Sequence, residues 1–138
     1  MTLTRARAMI MSTFVAGLVL QLLAVTLTYL KGEISTKDVG VLTAKLLGIY
    51  SVQMAVILGG IFGQHKPPPR AASGLPFRIA FTLSVLWNLL LLWRSVAFYF
   101  AENDQAADLV SYLDVASSAS AFLVAGALAY FFARQDSK

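Results

Sequence analysis

Apolar residues run almost unbroken through four stretches of the chain, roughly 9–30, 39–63, 77–100 and 107–133, with polar residues clustered between them. Each stretch reaches or exceeds the ~20 residues that cross ~30 Å of hydrocarbon as a helix. Away from water, a single segment satisfies its own N–H and C=O groups only as a helix. The pattern predicts an all-α integral membrane protein, with four transmembrane helices in an up-down bundle and one domain over residues 1–138. The connections are short except 64–76, which holds Pro67-Pro68-Pro69 and Ser73-Gly74. Proline cannot continue a helix, and a triplet favours an extended polyproline link.

Composition agrees. The 138 residues are 58% hydrophobic and 13% charged, where a soluble domain carries about a quarter charged residues. No room remains for a separate globular domain. Cysteine is absent, which excludes disulfides, thiolate metal sites and cysteine nucleophiles. The one histidine, His65, excludes a haem held by two histidines of this chain and argues against zinc. No metal or cofactor is expected. There is no Gly-rich phosphate loop, no Ser-His-Asp set and no pair of carboxylates within a helix, so no enzyme is expected.

Charge sets direction. Arg5, Arg7, Lys66, Arg70, Arg78, Arg134 and Lys138 lie on one side with a single acid, Asp136. Lys31, Lys37, Glu33, Asp38, Glu102, Asp104 and Asp108 lie on the other. The positive-inside rule places both termini and the proline loop in the cytoplasm, with the chain in the inner membrane. The net charge of +4 then reflects topology. No basic stretch interleaves with aromatics as a nucleic-acid site would, so no nucleic acid is expected. The first apolar run is too long for a signal-peptide core, and no small-x-small site precedes Lys31. Tyr29, Phe98, Tyr99, Phe100 and Tyr112 sit where aromatic rings anchor helices at the outer interface. Gln64–Arg70, with its proline triplet, reads as a stiff solvated link facing lipid phosphates rather than a peptide ligand.

Small residues recur at packing distance. Ser117, Ala121, Ala125, Ala129 and Ala133 lie four apart in the fourth helix, and Ser51, Ala55, Gly59 and Gly63 do so in the second. The first offers Gly17, Ala24 and Thr28 around Gln21. Such rows let another backbone come close, within one bundle or between copies. Gln21, Gln53 and Asn88 are expected as interhelical hydrogen-bond partners, each contributing about 1 kcal/mol. Tyr29 and Asp38 match Tyr99 and Asp108 at an offset of 70 residues, and Glu33 nearly matches Glu102; three loose matches are no more than chance supplies.

Three ionisable residues interrupt the apolar runs: Lys45, Arg94 and Asp114. Arg94 lies about six residues, or ~9 Å, from the outer end of the third helix. Asp114 lies equally deep across the hairpin, and Lys45 is level with both. The expected pair is Arg94 with Asp114, leaving Lys45 to snorkel its amine to the interface. The alternative is a charged cavity open to the outside, for an ion, an anion or a lipid headgroup.

The expected function is a non-enzymatic membrane subunit that senses, anchors or scaffolds. Its partners would be the lipid bilayer, other copies as a homo-oligomer, or another membrane or cytoplasmic protein. Small four-helix chains also serve multi-gene bacterial systems such as defence or signalling, a class-level expectation with no motif behind it. The competing reading is an ion channel or small-solute transporter with Lys45, Arg94 and Asp114 lining an outward vestibule.

Overall fold

The computed structural model describes residues 2–62, 74–101 and 105–133. It holds four α-helices: α1 (Leu3–Leu30), α2 (Thr36–Phe62), α3 (Gly74–Phe100) and α4 (Ala106–Ala133). Each is long and apolar enough to cross a membrane. At 1.5 Å per residue they are about 40 Å long, so each exceeds the hydrocarbon core by roughly 10 Å.

All four helices begin earlier than their apolar runs, α4 by a single residue. α1 starts six residues before Met9 and carries Arg5 and Arg7 within it. The apolar run marks only what suits hydrocarbon, while the backbone ladder continues until a cap stops it. Thr2 Oγ1 accepts from Arg5 N at 3.4 Å to begin α1. At α2, Ser35 N donates to Asp38 Oδ2 at 3.0 Å and Asp38 N donates to Ser35 Oγ at 3.3 Å, a reciprocal cap. At α4, Gln105 N donates to Asp108 Oδ2 at 3.1 Å. α3 carries Pro76 in its first turn, where the missing N–H has no helical acceptor anyway. α1 stops at Gly32, whose φ of 84° only glycine adopts without strain. Gly32 N and Glu33 N donate back to Tyr29 O and Thr28 O. The proline triplet, His65, Gly63 and the basic residues at 66, 70, 134 and 138 lie outside the described residues.

Two tight hairpins form the bundle. Residues 31–35 join α1 to α2, and 101–105 join α3 to α4. The chain thus runs up and down as expected. Around the bundle the order is α1, α2, α4, α3: α1 packs on α2 and α3, and α4 packs on α2 and α3. The hairpins lie side by side and point the same way, since Lys31 Nζ donates to Tyr99 O at 3.1 Å where both α1 and α3 end. We call this the hairpin end. The repeat at offset 70 is carried further by the helices than by the residues. α1 and α3, and α2 and α4, agree in their bounds to within one residue at that offset, and Asp38 and Asp108 close equivalent caps.

The interior is filled. Phe14 of α1, Tyr50 of α2 and Trp87 of α3 meet at ring-centroid distances of 5.1–6.4 Å. Leu42, Leu46, Ile57, Leu91, Leu113 and Leu128 are fully buried around them. Two glycines allow this closeness. A Cβ on Gly17 would lie 1.6 Å from Asn88 Oδ1, and one on Gly60 would lie 2.4 Å from the Phe132 ring.

Candidate functional site

The charged residues separate into two arrangements. Lys45 Nζ lies 2.6 Å from Asp114 Oδ1, joining α2 to α4. The guanidinium of Arg94 lies over the Tyr112 ring, 5.8 Å from its centroid, joining α3 to α4. The expected Arg94–Asp114 pair is therefore corrected: the partner of Asp114 is Lys45. Depth was not the error, because all three residues lie toward the hairpin end. The difference is azimuth. Tyr112 and Asp114 are two residues apart, so they point about 160° away from each other. Tyr112 faces α3, and Asp114 faces α2. Neither does Lys45 snorkel alone to the interface, since its ammonium is held by the carboxylate.

The ion pair is not enclosed. The Lys45 side chain is 34% exposed and that of Asp114 is 48% exposed. It sits on the outward side of the α2–α4 seam, about 12–14 Å from the starts of both helices at 1.5 Å per residue. One turn nearer the hairpin end, a cleft of about 320 Å³ opens between the same helices, lined by Asp38, Val41, Leu42, Ala106, Ala107, Val110 and Ser111. Asp38 is committed to its cap, accepting from both Ser35 N and Ser35 Oγ. Among the described residues no group of His, Cys, Asp and Glu could hold a metal ion.

The polar residues of the apolar runs turn inward, as their types require where the alternative is hydrocarbon. Gln21 and Gln53 are fully buried and Asn88 nearly so. Gln21 Oε1 accepts from Ser95 Oγ across α1 and α3. Asn88 Oδ1 accepts from Tyr50 Oη at 2.7 Å, and its Nδ2 donates to Ser84 O at 2.8 Å. Gln53 Nε2 donates to Ala121 O at 3.4 Å. All three therefore make interhelical contacts or bonds, though not with one another. Sequence reasoning missed Tyr50, Ser84 and Ser95 as their partners. An aromatic hydroxyl and two serines in apolar runs were the available signal. It also missed Arg7, which is buried and lies over the Phe132 ring, 5.5 Å from its centroid.

The small-residue rows divide. Ser117 is buried, Ala121 and Ala125 are half-buried, and Ala129 is exposed. A four-residue spacing advances about 40° per step, so the row winds from the core to the surface. In α2 the closely packed glycine is Gly60, while Gly59 is exposed and a Cβ there would meet nothing within 4 Å.

No family model, curated protein or solved structure matches this chain.

Proposed function

We propose that the protein is a multi-pass subunit of the bacterial inner membrane that acts by associating with copies of itself, with no catalytic chemistry of its own. The observation that carries this reading is the half-exposed Lys45–Asp114 pair on the side of the bundle. With helices of about 40 Å centred on ~30 Å of hydrocarbon, the pair lies roughly 7–9 Å inside the apolar layer. Ionisable groups at such depth ordinarily face a bundle interior or water. A neighbouring protein would supply that enclosure. The filled interior around Phe14, Tyr50 and Trp87 supports a role other than conduction along the bundle axis. The cleft beside Asp38 and Ser111 is what favours the competing transporter reading, and it lies between two helices rather than on the axis.

Orientation follows from the seven basic residues against one acid on the terminal side. Both termini face the cytoplasm, and the hairpin end faces outward. In this cysteine-free chain, an impermeant thiol reagent is expected to label Gln105→Cys in intact cells and Thr4→Cys only after lysis. Labelling in the opposite order would invert the topology. The two functional readings part in liposomes: a subunit gives no ion flux above that of empty vesicles, whereas a channel does.

A further inference from the structure

Three glycines of α2 have no explanation inside the chain. Gly40, Gly48 and Gly59 are exposed, and a Cβ on any of them meets nothing within 4 Å. In a helix each is disfavoured against alanine, because glycine loses the most backbone freedom on ordering. Gly17 and Gly60 carry the same cost but make room for Asn88 and Phe132. With Ala44, Ser51 and Ala55, also exposed, the three form a row of small residues within an arc of about 100°, bounded by exposed Val41 and Phe62 near its two ends. The outward face of α3 is bulkier: Leu86, Leu89, Leu90 and Trp93 are exposed there. Small residues gain nothing from acyl chains, but they let another helix approach closely.

The row does not say what approaches; the ion pair beside it does. Lys45 flanks the row, and Asp114 meets it from α4, where exposed Ser111, Ser118 and Ala129 alternate with exposed Val115 and Phe122. Beyond their mutual 2.6 Å bridge, the ammonium and the carboxylate have no other partner among the described residues. An ammonium can donate three hydrogen bonds, and a carboxylate can accept about four. Each charge thus has capacity left on the exposed side.

We propose that the α2–α4 seam is the contact between two parallel copies of this chain, related by a twofold axis running along the bundle. The inference rests on the self-association proposed above and names its surface. Charge self-complementarity selects the second copy. Lys45 and Asp114 stand side by side at one depth, so the twofold rotation sets each ammonium opposite the other copy's carboxylate. The four groups close a neutral ring in which every charge has two opposite neighbours. The small residues of α2 let the second bundle come close enough to close it, and Val115 and Phe122 of α4 offer apolar area to the contact. An unrelated helix would need its own acid–base pair at the same depth and spacing, whereas a second copy carries one by symmetry.

The test uses two differently tagged full-length chains, each with Ser118→Cys, oxidised in native membranes, and Leu86→Cys chains as the control face. Disulfide-linked dimers are expected through Ser118→Cys and not through Leu86→Cys. The charge ring is tested by the exchange variant, Lys45→Asp with Asp114→Lys, which keeps an ion pair within each chain. Exchange variants should dimerise with each other. Mixed with wild type, they would set acid against acid and base against base, so mixed dimers should fall at least ~10-fold below either like pair. In the complementary arm, Lys45→Asp chains and Asp114→Lys chains should each dimerise poorly alone and recover when co-expressed. Mixed dimers of wild type and exchange variant as abundant as like pairs would overturn the ring. Cross-linking through Leu86→Cys instead would leave self-association standing and discard this seam. A monomer retaining phospholipid, with no cross-link at either position, would assign the seam to lipid and overturn both readings.

Discussion

Gly60→Leu is expected to lower stability in detergent by about 3 kcal/mol or more, as overpacking of a filled core does, while Gly59→Leu, one residue away, leaves folding intact. The Cβ of a residue at 60 would already lie 2.4–2.8 Å from atoms of the Phe132 ring. That ring cannot give way. It is 5% exposed, packs on Phe131 at a centroid distance of 5.1 Å and lies under Arg7. At Gly59 nothing lies within 4 Å, and leucine is the better helix former. Its cost falls on association alone: the larger side chain holds a second helix away. Thermal unfolding and native mass, measured on both variants, separate the effects. Equal stability losses at the two positions would mean that the chain's own packing explains both glycines.

The second large effect concerns the ion pair. Lys45→Leu leaves Asp114 as an uncompensated carboxylate within an apolar layer, and is expected to destabilise by about 3 kcal/mol. Asp114→Leu should cost less, because a lone lysine can extend its amine toward the headgroups. The double variant should recover much of the Lys45→Leu loss, since no unpaired charge is left in the apolar layer. Arg94→Leu serves as the control. Combined with Asp114→Leu its effect should add, because Arg94 lies over Tyr112 on the opposite flank of α4. A thermal-unfolding cycle that couples Arg94 to Asp114, and not Lys45, would restore the pairing expected from the sequence.

That difference shows where sequence reasoning stops. Four apolar runs are enough to place four helices, because the constraint acts on each segment alone. The inward turn of Gln21, Gln53 and Asn88 is legible for the same reason, since polar groups in such runs need partners. Helix ends are less so. α1 extends back over Arg5 and Arg7 to a cap at Thr2, and nothing in hydropathy marks that cap. Neighbour order is not legible at all. Short turns pair α1 with α2 and α3 with α4, but the long link at 64–76 is compatible with either hairpin order. The helical wheel places Asp114 on the flank of Ala121. The structure shows that this flank faces α2, through the bond from Gln53 to Ala121 O and the Lys45–Asp114 pair itself. The glycine rows fail in a similar way. Spacing finds Gly59 and Gly63, but it cannot say that the glycine one residue over carries the internal contact with Phe132.

The central claim, a membrane subunit that associates with itself through its α2–α4 face, is tested most directly by the mass of the purified wild-type protein. The chain is 14.9 kDa. Light scattering in a mild detergent, with the bound detergent subtracted, is expected to give a protein mass of two chains or a multiple of two, falling toward one chain in Gly59→Leu. A wild-type mass of one chain, unchanged when the measurement is repeated in lipid nanodiscs, would contradict the account.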